Sequence, residues 1–417
     1  LQSSWLFNGY RKTIKDMAGR VFDKPVELAD DVPQRVKGWS ENIDLAGRDL
    51  STFAREVFED GLQSGISYIM VDAPPRNGVT TQAQADRSNL RPYFAHLSAE
   101  DVLGWRAESI DNAMTLTQIR IAETVSEPNP DDEFKDIEIA QVRVLDRTDA
   151  GVQTRLYRKN DAGQWFQVDE PTLSGLTEIT VVPFYANRNG FFAGQPLLDD
   201  LCDVNIAHWQ SQSDQRNALH FARVPILHAA GRSEDDGPLT ISAGMAVVST
   251  DPQARLEWVK SDRGPIDAGR QDLKDLEFQM ETHGLQLLAA RPGAQSATGE
   301  ALDAAKETST LAMTADQLQD ALEQALQWMA EYGGIGDVPI SVTVNKEFGV
   351  TMITAQEVGV MLQAVQSGNM SRATLIGEMA RRGMIRPDID PEEEAERIGM
   401  EDIDIEDDDS EGETPVT

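Results

Sequence analysis

The sequence predicts an α+β fold, and three observations predict it. Residues 91–188 carry short apolar runs separated by polar turns, the mark of strands. Three later segments, about Pro196 to Phe221, the stretch after Pro265, and about Glu300 to Tyr332, repeat apolar residues at helical spacing over many turns. The C-terminal part is again helical, opened by a Thr354/Glu357 pair at capping-box spacing.

Taken in order, residues 1–24 read as a helix, with Trp5, Leu6, Tyr10, Ile14, Met17 and Val21 on its apolar side and Pro25 ending it. A second helix starts behind Asp49 as cap. It carries Leu50, Phe53, Ala54, Val57, Phe58, Gly61 and Leu62, and Gly65 stops it. Ile66 to Val71 is a strand, and Pro74 to about Asn89 a loop.

The helix opened by Pro196 is apolar at both ends and almost wholly polar from Gln210 to Asn217. Such a helix packs between like neighbours or faces an aqueous space. Short strands follow at Val224–His228, Gly244–Ser249 and Leu256–Val259. Next comes the helix with Leu273, Leu276, Met280, Leu287 and Leu288, then a polar loop over residues 291–299. The helix over 300–332 aligns Leu311, Leu318, Leu322, Ala325, Leu326 and Met329 and ends at Gly333 and Gly334. Ile340, Val342 and Val344 alternate as a strand. Gly368 ends the helix behind Thr354, and another spans about Ser371 to Arg382. No internal repeat is visible.

Charge narrows the function classes. The 417 residues hold 71 acids and 37 bases, a net of -34. Residues 401–417 contribute nine acids and no base and read as disordered, and the rest still carries about -25. An acidic surface repels phosphate, so a conventional duplex-DNA binder is excluded, whereas a conduit that must not grip DNA is not. The single cysteine, Cys202, allows no internal disulfide and reads as a buried structural residue. No apolar run is long enough for a transmembrane helix, and no signal peptide is visible behind Leu1.

No catalytic constellation emerges. His96, His208, His220, His228 and His283 include no pair at the short spacing of a helical zinc site. His208 and His220 are twelve apart, a spacing that can align them on one helix face, but interface or core packing is favoured over a metal role, and no cofactor or metal is expected. Phosphate-binding glycine loops and a nucleophile elbow are both absent. Asp199, Asp200 and Asp203 compensate a helix dipole, contribute a negative ring in an assembly, or both. Arg381, Arg382 and Arg386 read as dipole compensation and a solvated surface, with contact to packaged DNA or to the acidic tail as the alternative.

Four segments, in order and spacing, carry a family resemblance. They are Tyr10-Arg-Lys-Thr-Ile with Gly19 to Pro25; Leu50 to Asp72; Arg91-Pro-Tyr-Phe through Val102-Leu-Gly-Trp-Arg; and Asp203 to Trp209 with Asn217 to Phe221. Over roughly residues 5–390 the chain resembles the portal proteins of tailed double-stranded DNA bacteriophages, in a subgroup long catalogued as a domain of unknown function. The resemblance implies a portal fold: an α/β wing over 1–195 joined by a strand at 338–348, stem helices at 196–222 and 265–290, and a small β clip at 223–264. It also implies a tunnel loop at 291–299, a long wing helix at 300–337 and a helical crown at 349–400.

The same resemblance implies a dodecameric homo-oligomer at one capsid vertex of the virion, assembled in the host cytoplasm. The resemblance also implies no enzyme activity and no membrane contact. The implied partners are the terminase motor, then the head–tail adaptor, the major capsid protein, and double-stranded DNA passing without sequence specificity. Asp199, Asp203 and Asp214 would be the acids of the stem and channel. Arg232, Glu234, Asp235 and Asp236 would meet the clip's partner, and Arg291, Gln295, Ser296 and Thr298 would face the DNA. The residues themselves leave 291–299 open between that role and a solvent loop joining two helices. The competing readings are another virion structural protein, such as an adaptor or scaffold, and a hydrolase using an acidic pair. Scaffolds are typically helical and adaptors shorter, and the hydrolase lacks a convergent His, Ser, Cys or metal set.

Overall fold

The computed structural model describes residues 5–74, 90–130, 132–160, 162–223, 226–231, 251–259, 264–286 and 309–346, and positions 363–365, 367, 371–372 and 374–375. The chain divides into two units, Leu1–Glu347 and Phe348–Thr417.

Helix α1 (Gly9–Val21) begins where the Asn8 side chain accepts the Arg11 N–H at 2.8 Å. This corrects the helix expected over 1–24. Trp5 and Leu6 precede the cap and are exposed, and the helix stops at Val21, ahead of Pro25. Strand β1 (Glu27–Leu28) and helix α2 (Gln34–Ser40) follow. Neither had a periodic signal, because α2 buries only Val36 and Trp39. Helix α3 (Leu50–Ser64) has the expected bounds: Asp49 accepts from the Thr52 N–H at 2.7 Å, and Gly65 closes it at φ +81°. Gly65 is also required by space, since a Cβ there would lie 2.1 Å from the Gln195 carbonyl oxygen.

Strand β2 (Ile66–Asp72) is the centre of a three-stranded antiparallel sheet, between β3 (Tyr93–Leu97) and β10 (Val181–Tyr185). Pro183 is tolerated because β10 is an edge strand. Between β3 and β10 the chain builds a six-stranded antiparallel sheet: β4 (Val102–Ile110), β5 (Ala113–Pro128), β6 (Asp136–Thr148), β7 (Gly151–Lys159), β8 (Trp165–Gln167) and β9 (Thr172–Ser174). The expectation of a mostly β stretch over 91–188 holds. A small ribbon, β11 (Arg188–Gly190) with β12 (Ala193–Gly194), leads out of it.

Next come helix α4 (Asp199–Ala222), strands β13 (Ile226–Ala230) and β14 (Arg255–Val259), and helix α5 (Gly264–Gln286). Helix α6 (Thr310–Tyr332) starts at Ser309, whose extended backbone and side-chain bond to the Ala312 N–H set the N-terminus. It therefore does not run on continuously from Glu300. Gly333 caps its end, and Gly334 follows at φ +74°. Strand β15 (Val342–Thr343) pairs with β1. Among the described residues of the expected 338–348 strand, these two are paired, and Ile340, Val342 and Val344 are all buried as the alternation predicted. Residues 75–89, 244–249, 287–308, 354–357 and 381–386 carry readings that lie outside the described residues. In the second unit Ser371 Oγ accepts the Thr374 N–H at 3.0 Å and caps a helical turn where one was expected. Among the described residues no helix is long and apolar enough to cross a membrane.

The core of the first unit has three layers. Ile66, Tyr68 and Met70 of β2 pack with Ile119, Ile121, Leu145 and Val152 of the six-stranded sheet. The alternate residues Ser67, Ile69 and Val71 face the helices, and Ser67 Oγ donates to the Val57 carbonyl at 2.8 Å. On that side Phe53 meets Phe94 at 5.6 Å and Phe58 stacks on Phe184 at 5.7 Å. All four are fully buried, each contributing roughly 1.5–3 kcal/mol.

An ionic joint ties the two sheets together. Arg143 on β6 bonds Asp72 of β2 at 3.0 Å and Glu123 of β5 at 2.6 Å. Tyr93 Oη donates to Asp72 at 3.2 Å, and Gln141 donates to Glu123 at 2.9 Å. Burial works against the Arg143 charge, but Glu123 and Asp72 outweigh it and push its pKa up. Burial, with Asp72 alongside, pushes Tyr93 up to about 12. Arg143→Met leaves two largely buried carboxylates without their cation. The expected loss is roughly 3–5 kcal/mol in urea unfolding, with a smaller loss when Asp72→Asn and Glu123→Gln are added.

Candidate functional site

The feature of the described residues that is not explained by core packing is the hairpin α4–β13–β14–α5. Its two helices are antiparallel, as three contacts show. His208 Nε2 stands 3.4 Å from Glu277 Oε1, Ser211 Oγ donates to Asp272 at 2.5 Å, and Gln215 Nε2 donates to the Ile266 carbonyl at 2.7 Å. Ser211 and Gln215 thus supply two hydrogen bonds between the helices, worth about 0.5–1.5 kcal/mol each. Gly269 lets the helices close up: a Cβ there would meet Gln215 Oε1 at 2.2 Å.

The base of the hairpin is anchored on α1. Asn205, buried on α4, accepts the Tyr10 N–H at 3.2 Å, and a Cβ on Gly9 would overlap the buried Met280 sulfur of α5 at 2.7 Å. Burial, then the nearby Cys202 and Asp199, raises the Tyr10 pKa. Cys202 is half-buried, not buried as the sequence implied.

Helix α4 begins at Asp199, three residues later than expected, so Pro196 precedes it rather than occupying its first turn. Asp199 and Asp200 stand in that first turn and favour the positive end of the helix dipole. Asp203 and Asp214 are separated by about three turns and fall on the same side as Asp199. All three are exposed, with Ile206, Gln210, Asn217 and Phe221 on the same side. That side of α4 therefore combines an acidic row with apolar groups left in water. Phe221 is 68% exposed, and Phe278 on α5 is 70% exposed.

The ribbon at the far end is amphipathic. Paired residues share a face, which puts Leu227 with Trp258 and Ala229 with Leu256 on one side, and His228 with Glu257 and Ala230 with Arg255 on the other. Trp258 and Leu256 are both exposed. Sequence reasoning placed these strands but missed the face. Its signal was there, in the alternation of Leu256 and Trp258 with Arg255 and Glu257.

Of the residues singled out in the sequence, the structure brings Asp199, Asp203 and Asp214 together on one helix face. Arg232, Glu234, Asp235 and Asp236, and Arg291, Gln295, Ser296 and Thr298, lie outside the described residues. Among the described residues no group of three or more His, Cys, Asp or Glu is placed to hold a metal. His96 lies 3.2 Å from Asp60 and 4.0 Å from Glu56, and His228 lies 3.6 Å from Glu257.

Residues 196–333, from the approach to α4 through the end of α6, match a family described as a domain of unknown function, DUF4055. No curated protein matches the chain. Among solved structures, the chain is similar to one from the neck of an empty gene transfer agent particle. The identity is 11%, with 89% of this chain and 88% of that one covered and a TM-score of 0.43. It is also similar to a chain of the native gene transfer agent virion, at 12% identity over 86% and 84% of the two chains, with a TM-score of 0.41.

His208 supplies a test of the hairpin's packing. It is 2% exposed against Phe7, yet its approach to Glu277 is out of line for a hydrogen bond, and neither ring nitrogen has a hydrogen-bond partner among the described residues. His208→Leu is expected to raise stability by about 1–2 kcal/mol in thermal unfolding, because it removes an unsatisfied buried polar group at similar volume. An equal loss instead would mean that the ring is bonded in solution.

Proposed function

We propose that the chain is one subunit of a ring-shaped phage portal, a non-enzymatic channel at one capsid vertex through which double-stranded DNA is packaged and later ejected. The observation that carries this reading is the α4–ribbon–α5 hairpin. It leaves Phe278 and Trp258 in water on a single chain while presenting the acidic row Asp199, Asp203 and Asp214. Exposed aromatics on α5 and on the ribbon call for further protein surface, and like copies supply it in a ring closed by a heterologous contact. The acidic row then has a purpose, because a wall without cations releases no counterions from DNA and lets the duplex slide.

On this reading α4 and α5 are the stem and the β13–β14 ribbon belongs to the clip. Residues 1–195 with β15 form the wing, 291–299 the tunnel loop, 300–337 the long wing helix and 349–400 the crown. The terminase motor, the head–tail adaptor and the major capsid protein are the partners. An adaptor or another virion structural protein is the alternative. It would share the exposed aromatics but would have no need of an acid-lined passage.

Negative-stain electron microscopy with light scattering tests the reading. A ring with a central hole and about twelve times the 45.9 kDa chain mass is the expected result. A monomer that persists across salt and concentration sinks it. A second measurement addresses the acidic row. Rings of Asp203→Lys/Asp214→Lys should retain duplex DNA at low salt and release it as salt rises, while wild-type rings retain none. Equal DNA retention by both would remove the channel role of these acids.

A further inference from the structure

The six-stranded sheet has an outer face unlike the rest of this acidic chain. Directly paired residues point the same way, so Arg106, Arg120, Arg155, Tyr157, Lys159 and Trp165 all lie opposite the buried Ile119, Ile121 and Leu145. Two acids share this face: Asp146, which is held by Arg155, and the exposed Glu108, two residues along β4 from Arg106. Arg106, Arg120 and Lys159 have no carboxylate partner among the described residues, and Lys159 lies 4.8 Å over the Trp165 ring. Arg106, Lys159 and Trp165 are exposed. Cations interleaved with aromatics are the composition of a contact surface.

The same sheet also carries the complementary half. Outward from the Thr124–Ala140 pair, β5 and β6 continue as a two-stranded ribbon with no third neighbour. Its tip is closed by hydrogen bonds from Asn129 N to the Lys135 carbonyl at 3.0 Å, from Lys135 N to the Asp132 carbonyl at 3.1 Å and from Phe134 N to Asp132 Oδ1 at 3.1 Å. This ordered turn holds Phe134 93% exposed, with Glu133, Asp136 and Glu138 exposed around it. None of these three acids has a basic partner among the described residues.

We propose that this acidic, phenylalanine-bearing tip docks on the cationic, aromatic outer face of the six-stranded sheet in the next copy of the chain. Three points favour a second copy. The ribbon continues β5 and β6 without a bulge, so its tip extends at least about 14 Å past the last three-stranded row and cannot fold back on its own sheet. Tip and face are different surfaces of one chain, which makes the contact heterologous, the kind that closes a ring. Finally, two chains of net charge -34 repel each other as wholes. At physiological salt, however, the screening length is about 8 Å, so local complementarity at the contact decides.

The inference rests on the ring proposed above, and charge reversal in the full-length protein separates the two. Assembly is followed by sedimentation, with circular dichroism melts to verify that each variant is folded. Glu133→Lys/Glu138→Lys, and separately Arg106→Glu/Lys159→Glu, should each raise the concentration for half-assembly by about tenfold or more. The four reversals combined should restore much of that loss. Phe134→Ser should weaken assembly without changing its salt dependence. Folded variants that assemble like wild type would overturn the docking and leave the ring intact, whereas a wild-type monomer would overturn both. If wild-type protein retains duplex DNA and Arg106→Glu/Lys159→Glu loses it with assembly unchanged, the face belongs to nucleic acid and the docking is overturned as well.

Discussion

Six consecutive residues of β2, Ile66 to Val71, are withdrawn from water because helices cover one face of the strand and the six-stranded sheet covers the other. The rest of the first unit depends on this double cover. It requires β2 to be apolar throughout, places β3 and β10 beside it, and makes α3 and α6 share the helical side with Phe53, Phe58 and Phe184. It also creates a problem at Asp72, where the strand leaves the core between two sheets. Arg143 resolves that by bonding Asp72 and Glu123 together, so the ion pair serves as a joint between layers rather than as a surface ornament.

How far the fold was legible follows from this layering. Helix α3 could be read to the residue, because an Asp cap, seven apolar positions and a terminal glycine agreed with one another. The buried strand β2 was legible as an unbroken apolar run. Helix α1 was read too long, because Trp5 and Leu6 fit the helical period by chance, while the Asn8 cap is a weaker mark than the proline that was credited with ending it. Helix α2 was invisible, since two buried residues make no period. In the hairpin, the acidic row of α4 was legible as charges at helical spacing. The hydrogen bonds between α4 and α5 were not, because which residue meets which across two helices depends on register and crossing, and neither is encoded locally.

Those bonds bear on how the hairpin behaves. Ser211 and Gln215 join α4 to α5, beside a histidine that fails to bond its neighbour. The hairpin's anchorage is at the base, where Asn205 and Met280 close on α1, and its outer aromatics are left exposed. On the proposed ring reading, neighbouring copies supply the surface that fixes the hairpin.

On the proposed portal reading, charge has to satisfy two opposed demands. A wall that lets DNA pass must be short of cations, and a chain that associates with its own copies must find some. The fold meets both by separating them in space. Cations are withheld from the exposed side of α4, where Asp199, Asp203 and Asp214 stand, and gathered on the outer face of the six-stranded sheet, around Arg106, Arg120 and Lys159. The net charge of -34 is thus an average over two surfaces of opposite character. Composition alone reports only the average. Strand register reveals the exception, because pairing across β4 to β8 brings cations that are scattered over more than fifty residues of sequence onto one face.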